Sequence, residues 1–322
     1  MNTRSGVGNQ MKVFWNEDYT SINFDFDTSR KSNHIVDFLE SDKTISHDAR
    51  VAIGVPIVEV IDPEKSTDIS VTERLINTWL TPEYVEALKT NNDKILSQSQ
   101  GFPWCTNTYG FARAHTHGLI ASVDEVIANG GRSGSLSSGL HHASRSGGGG
   151  FCTVNGIALS AIYAVERGLE PIILDFDAHC GGGTMDFLRA HNEVSETKIR
   201  HIDLSTNFFD SYKIESNEPW AKLHILSAEE NYLDEVEKEL YLTTSFITDK
   251  TLFIYNAGID PIGSAGIDEK VIVERERIVS DFISSNMAIF ALAGGYSGKS
   301  TTRDDVARLH LETVYGWSWQ MK

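Results

Sequence analysis

Short apolar runs alternate along this chain with longer stretches of helical periodicity. The apolar runs are rich in β-branched and aromatic residues and lack strict polar alternation, which is typical of strands buried on both faces. They predict strands at Lys12–Trp15, Val51–Val60, Pro171–Asp177, Lys198–Leu204, Lys222–Leu226, Thr251–Ala257 and Ala288–Ala293. The helical periodicity predicts helices that include Phe111–Ala128, Gly156–Arg167, Glu229–Glu239 and Glu269–Ser284. This alternation favours an α/β fold in which helices cover one mostly parallel sheet.

The 322 residues show no internal repeat and no linker, so we expect one large domain. The first ten residues are rich in Gly, Ser and Asn. They predict an N-terminal extension over residues 1–10, followed by a domain over residues 11–322, with Met11 as an alternative start.

The composition restricts the expected partners and location. Hydrophobic and charged shares of 40% and 23% are ordinary for a globular chain and argue against disorder. We expect no membrane association, because no apolar run is long enough to cross a bilayer and the amino terminus lacks the apolar core of a signal peptide. The net charge of −17 argues against a nucleic-acid partner and weakly favours a cationic substrate. Three scattered cysteines do not form a disulfide framework, which indicates a reducing cytoplasm.

Chemically distinctive residues follow three of the predicted strands. Sites in open α/β sheets lie beyond the carboxyl ends of the strands, so these residues are the first candidates for chemistry. The three segments are Asp175–His179, Gly258–Pro261 and Gly294–Tyr296. A fourth feature is a loop rich in Gly and Ser, predicted over Asn129–Gly150, which carries His141 and His142.

The first segment predicts a metal site. Asp175, Asp177 and His179 alternate, so their side chains would point to one side of an extended strand. Burying such a group is costly unless a cation neutralises it. With Asp260, residues Asp177 and His179 make a three-ligand site with an open position, as catalytic zinc requires, although Fe(II), Co(II) or Mn(II) would also suit these donors. The alternative is an Asp-rich strand end that caps a helix.

Two further features fit a hydrolase. His141 and His142 lie in a loop of small residues that can pack closely against a crevice. Histidines there could act as base and acid near neutral pH, although a single histidine is more often structural. Tyr296 follows two glycines at a strand end and could donate its hydroxyl to a developing oxyanion.

Four segments resemble, in order, the motifs of the zinc-dependent histone deacetylase and acetylpolyamine amidohydrolase superfamily. They are GLHHASRSGGGGFCTVNGIALSA (Gly139–Ala161), ILDFDAHCGGGT (Ile173–Thr184), NAGIDP (Asn256–Pro261) and LAGGYSG (Leu292–Gly298). Upstream, MKVFWNEDY and LTPEYVEAL resemble the opening strand of that family and a helix before its active-site loops. The resemblance implies an arginase-like, eight-stranded parallel sheet between helices, with a histone deacetylase-like catalytic domain over residues 11–322.

The resemblance also implies a role for each candidate residue. The zinc ligands would be Asp177, His179 and Asp260. His142 would be the principal base and acid, and His141 would be its electrostatic partner. Tyr296 would donate a hydrogen bond to the carbonyl oxygen as it becomes an oxyanion. Asp175 would bond His141 and help to hold a monovalent cation such as K⁺. A narrow tunnel for an acylated amine chain would be walled by Gly150, Phe151 and Phe209.

One position departs from the family motif. The family reads His-His-Gly-Asp or His-His-Gly-Asn where this chain reads His179-Cys180-Gly181-Gly182. Gly182 therefore stands where the partner of the second histidine of the dyad belongs. We expect His142 to lose an orienting hydrogen bond, with either a lower basicity or a water molecule in that place.

The expected function is hydrolysis of an N-acetyl or other short acyl amide of an amine: acetyl-lysine, an acetylpolyamine or a small biosynthetic intermediate. Two alternatives stay open. One is a metal-binding homologue that has lost catalysis and binds acyl groups or a partner, which Gly182 favours. The other is an arginase-type ureohydrolase with two manganese ions, for which Gly181–Gly183 supplies no further ligand.

Overall fold

A single parallel sheet forms the centre of the protein, as seen in a computed structural model that describes residues 10–22, 24, 27–41, 58–226, 231–297 and 301–319. Its strands are β1 (Met11–Phe14), β2 (Val58–Ile61), β3 (Arg132–Ser135), β4 (Glu170–Asp175), β5 (Arg200–Ser205), β6 (Ala221–Ile225), β7 (Thr251–Gly258) and β8 (Met287–Ala293). They lie in the order β2-β1-β3-β8-β7-β4-β5-β6, and all neighbours are parallel. The predicted α/β fold and its eight-stranded sheet are confirmed.

Helices cover both faces of the sheet. They are α1 (Asp27–Ser41), α2 (Ile69–Trp79), α3 (Pro82–Thr90), α4 (Lys94–Ser97), α5 (Thr108–Asn129), α6 (Gly156–Glu166), α7 (Gly182–Val194), α8 (Tyr232–Thr243), α9 (Pro261–Ala265), α10 (Glu269–Phe282) and α11 (Arg303–Trp319). One hydrophobic core lies under α5 and α6, and another under α1, α10 and α11. Because both faces are covered, β7 is buried at every residue and is apolar throughout most of its length. Within the described ranges, no helix is long and apolar enough to cross a membrane.

The predicted boundaries agree well with these elements. Strand boundaries agree to within two residues, except for Val51–Val60, of which residues 51–57 lie outside the described residues. Helix boundaries agree to within four residues, except that residues 229 and 230 of the predicted Glu229–Glu239 lie outside the described residues. The predicted helix in LTPEYVEAL is α3, which begins with Pro82 in its first turn, where a missing N–H costs nothing. The predicted extension over residues 1–10 lies outside the described residues except for residue 10.

Strand β3 lies inside the segment Asn129–Gly150, so the prediction of a loop there is wrong at its start. The sequence Arg-Ser-Gly-Ser contains no β-branched or aromatic residue. Its strand conformation comes from pairing with β1 on one side and β8 on the other. Small residues are required at this point, since a Cβ on Gly134 would lie less than 3.0 Å from the ring of Phe290, its partner in β8.

We expect Gly134→Ala to lower the free energy of unfolding by about 1–3 kcal/mol, because the added methyl group overpacks the contact with Phe290. Chemical denaturation followed by circular dichroism measures this change. Gly263→Ala is the matched control, since a Cβ at Gly263 would meet no described atom within 4 Å. Equal stability of the two variants would contradict tight packing at Gly134.

Candidate active site

Four neighbouring strands in the middle of the sheet, β3, β8, β7 and β4, carry the predicted chemistry. Because the strands are parallel, the segments that follow them open on one edge of the sheet. There the structure forms one small cavity of about 30 Å³. The predicted residues that line it are His141, His142, Gly150, Phe151, Asp177, His179, Asp260 and Tyr296.

The backbone that carries the predicted metal ligands differs from the predicted strand. Strand β4 ends at Asp175, so Asp177 and His179 lie on the following loop and do not alternate along an extended strand. The loop still brings their side chains together. Nδ1 of His179 lies 3.2 Å from Oδ1 of Asp177 and 3.1 Å from Oδ2 of Asp260.

A buried arginine fixes the two loops that carry the carboxylates. Arg275 of α10 donates hydrogen bonds to the carbonyl oxygens of Phe176, at 3.0 Å, and Gly258, at 2.6 Å. Gly258 passes so close to Asp177 that a Cβ would lie less than 3.0 Å from the Asp177 Cα atom. The guanidinium group is fully buried and is paired with Glu276. Arg275 thereby links the end of β7 to the loop after β4.

Asp177, His179 and Asp260 fit a divalent cation by their chemistry. Their ligand atoms all lie within 4.8 Å of one another, and one imidazole with two carboxylates suits Zn²⁺, Fe(II), Co(II) or Mn(II). Burial and the charge of Asp177 raise the pKa of Asp260. Burial alone would lower the pKa of His179, but the two carboxylates raise it to about 10. This point of the structure therefore attracts positive charge, either a proton on His179 or a metal ion.

His141 and His142 form a dyad with their rings 4.0 Å apart. His141 Nδ1 lies 2.8 Å from Asp175 Oδ2, and His142 Nδ1 lies 2.9 Å from Asp210 Oδ2. Each Nδ1 therefore carries its proton, which leaves the two Nε2 atoms facing each other at 3.1 Å. Burial opposes a charge on His141, but Asp175 and Asp177 raise its pKa to about 10. Burial and the neighbouring His141 lower the pKa of His142, so a proton shared between the two Nε2 atoms lies on His141 rather than on His142.

The partner of His142 is Asp210, which lies on the loop after β5. The expectation that Gly182 leaves this histidine without an acceptor, or with a water molecule, is therefore wrong. A Cβ on Gly182 would lie less than 3.0 Å from the Asp210 carboxylate, so the acceptor comes from another segment and occupies that space. The sequence contained one weak signal for Asp210, namely its position shortly after a predicted buried strand.

The loop that precedes Tyr296 is held by Lys31, a residue that lies outside all four sequence motifs. Gly294 has φ of +61°, and a Cβ there would lie less than 3.0 Å from the carboxylate of Asp260. Its carbonyl oxygen accepts a hydrogen bond of 2.8 Å from Nζ of Lys31, a buried residue of α1. Burial lowers the pKa of Lys31 to about 7, against the attraction of Asp260 and Asp177. Only the packing of α1 against the loop after β8 reveals Lys31.

The predicted tunnel residues lie around the dyad. Gly150 has φ of +49°, and a Cβ there would lie less than 3.0 Å from the ring of His142. Phe151 lines the cavity, and 37% of its surface is exposed. Phe209 packs edge-on against His142, at 5.0 Å between ring centroids, and against His179, at 5.8 Å. The three residues therefore lie where a substrate chain could pass, although their role as tunnel walls stays a prediction.

The chain matches one protein family in sequence. The profile described as "Histone deacetylase domain" matches residues 29–312, which confirms the resemblance drawn from the four motifs. The acetoin utilization protein AcuC of Staphylococcus aureus (strain MRSA252) is 31% identical over 152 residues, which cover 44% of this chain and 38% of AcuC. The match thus spans less than half the length of this curated relative.

Two solved structures share the fold. The HDA15 HD domain has a TM-score of 0.71 and 15% identity, with 95% of this chain and 89% of that chain covered. The acetylpolyamine aminohydrolase from Burkholderia pseudomallei has a TM-score of 0.70 and 15% identity, with 96% and 98% covered. At this level of identity, the likeness concerns the fold alone.

Proposed function

Because the chain belongs to the histone deacetylase family, we propose that it is a metal-dependent amidohydrolase that removes an acetyl or other short acyl group from an amine. One observation carries this proposal. His142, the three possible metal ligands and Tyr296 line the same small cavity. A base, a cation site and a hydroxyl donor at one point are the parts that amide hydrolysis requires.

Each residue of the cavity has a separate task in this proposal. A divalent ion held by Asp177, His179 and Asp260, zinc in our proposal, would polarise the acyl carbonyl and lower the pKa of the attacking water. His142 accepts a proton from the water at Nε2 and later delivers it to the leaving amine. His141 holds its own proton through its bond to Asp175. Tyr296 donates its hydroxyl to the carbonyl oxygen as negative charge develops there.

Several finer features belong to this proposal. Asp175 and Asp203 are neighbours in the sheet and are both fully buried, so a monovalent cation such as K⁺ would neutralise part of their charge. We also propose a small-molecule or acyl-lysine substrate and a cytoplasmic location. A larger cavity of about 350 Å³ lies beside Tyr296 and is lined partly by Ile259, Ile262, Val306 and Leu309. This apolar space favours testing acyl groups longer than acetyl.

The alternative of a homologue that has lost catalysis has less support in the structure than in the sequence. In the sequence, this alternative rested mainly on Gly182, which was expected to leave the second histidine of the dyad without a hydrogen-bond acceptor. Asp210 lies 2.9 Å from His142 and supplies that acceptor. An intact dyad beside the possible metal ligands favours an enzyme.

We expect the protein to release carboxylate from at least one member of a panel of acetyl-, propionyl- and butyryl-lysine peptides and acetylpolyamines. Tyr296→Phe is expected to lower kcat by about 10²–10³-fold, with little change in KM, because it removes a donor to the oxyanion. Enzyme-coupled detection of the released carboxylate measures both constants. Tyr241→Phe is the matched control, since Tyr241 is 75% exposed on α8. Zinc-loaded protein that is inactive on the whole panel, or a fully active Tyr296→Phe variant, would contradict the proposal.

A further inference from the structure

We propose that Asp210 is the positioning residue that fixes the ring and the tautomer of His142, and that residue 182 is glycine because Asp210 fills the place of its side chain with both its carboxylate and its backbone carbonyl oxygen. The orienting carboxylate thus comes from the loop after β5 and not from the loop after β4, which carries Asp177 and His179. The kinetic part of this inference rests on the proposed function, and its structural part does not.

The contacts of the Asp210 carboxylate carry the first step. Its Oδ2 atom accepts hydrogen bonds from His142 Nδ1, at 2.9 Å, and from the backbone N–H of Gly183, at 3.2 Å. A carboxylate has no proton to donate at neutral pH, so the proton of this bond lies on Nδ1. The Nε2 atom of His142 is then left as an acceptor, 3.1 Å from Nε2 of His141, and His142 lines the cavity.

The space around Gly182 carries the second step. A Cβ on Gly182 would lie less than 3.0 Å from the carbonyl oxygen, Oδ1 and Cγ of Asp210. Real Cβ atoms essentially never approach other atoms so closely. A side chain at position 182 is therefore excluded both by the Asp210 carboxylate and by the backbone carbonyl oxygen of the same residue.

The loop that carries Asp210 is tied to the loop after β4. The N–H of Cys180 donates to the carbonyl oxygen of Phe209 at 3.1 Å, and Asn207 forms a parallel β-bridge with His179. Asn207 also accepts the N–H of Phe209 through its side-chain Oδ1, at 2.8 Å. These bonds place the carboxylate of Asp210 and the ring of Phe209 against His142 together.

The backbone of Asp210 makes a clean substitution possible. Its φ is +58°, a left-handed conformation that Gly adopts freely and that Asn tolerates better than most residues. Asp210→Gly therefore removes the carboxylate without adding backbone strain, and Asp210→Asn keeps an acceptor oxygen without the charge. Asn91→Gly, at φ of +56° at the end of α3, is the matched control for a left-handed residue replaced by glycine.

The experiment uses the full zinc-loaded chain with ¹⁵N-labelled histidine and the best substrate of the panel. We expect Asp210→Gly to lower kcat about 10–100-fold, with KM and bound zinc unchanged, as when a group that orients a functional imidazole is removed. The His142 signal, identified by its loss in His142→Ala, is expected to show the Nδ1–H tautomer in the wild type and a mixture in Asp210→Gly. Asp210→Asn should keep the tautomer and lose less activity. Asn91→Gly should change neither the tautomer nor kcat.

Two results would overturn the inference. One is an unchanged His142 tautomer and an unchanged kcat in Asp210→Gly. The other is an Asp210→Asn variant that shows the same tautomer mixture and the same loss of kcat as Asp210→Gly. The tautomer is read without substrate, so it decides the position of Asp210 even if no panel member is hydrolysed. Inactivity of the wild type on the panel would count against the proposed function alone.

Discussion

Replacing Asp260 by Asn is expected to remove the bound metal ion and to lower kcat/KM by at least about 10³-fold. The substitution keeps the shape of the side chain and removes one of two buried negative charges that face Nδ1 of His179. Several kcal/mol of transition-state stabilisation depend on the cation, and each 1.36 kcal/mol corresponds to about a tenfold change in rate. Metal content per chain after dialysis, measured by mass spectrometry alongside activity, tests this result.

The matched control for this variant is Asp249→Asn, which changes an exposed carboxylate just before β7, at the opposite end of that strand. The control should keep both metal and activity. Full activity of metal-free Asp260→Asn would exclude a role of the cation in the reaction. The stoichiometry is also informative, because His141, His142 and Asp177 form a second possible ligand set that shares Asp177 with the first. One ion per chain fits the amidohydrolase, and two would favour the ureohydrolase alternative.

His142→Ala is expected to lower kcat by about 10²–10⁴-fold while the protein keeps its metal. In the proposed mechanism Nε2 of this histidine accepts a proton, whereas Asp175 and Asp177 keep a proton on His141. The loss should fall on kcat rather than on KM, because proton transfer occurs in the transition state and not in the bound substrate. Steady-state kinetics together with metal analysis separates the two effects.

The control for the dyad variant is His34→Ala, since His34 lies on α1 and pairs with Asp304 at the surface. It should leave kcat unchanged. A similar kcat in His142→Ala and the wild type would assign the base to another group. A loss of metal in His142→Ala would instead place His142 among the metal ligands, in the second set with His141 and Asp177.

The cluster of possible metal ligands was predictable from the chain because its residues stand next to local signals. Asp177 and His179 come at the end of an apolar run that favours a buried strand, and Asp260 follows another such run. Parallel strands direct such residues to the same edge of a sheet, so order and burial along the chain suffice to group them. The structure differs from the prediction in how these side chains come together. Strand β4 ends at Asp175, and the loop that follows it brings the side chains of Asp177 and His179 together.

The α/β class, most strand boundaries and the group of residues at the carboxyl edge of the sheet were predictable from the chain, because they follow from local hydrophobic periodicity and from polar residues at strand ends. Strand β3, the buried hydrogen bonds of Arg275 and the partner of His142 depend on tertiary contacts and were not predictable. Arg-Ser-Gly-Ser has no strand preference of its own, and its conformation depends on the flanking strands β1 and β8. Asp210 is 68 residues from His142 along the chain, and Arg275 is 99 residues from Phe176. Packing between elements decides which distant group fills the space beside a glycine or donates to a buried carbonyl oxygen. A local sequence pattern contains no information about that packing.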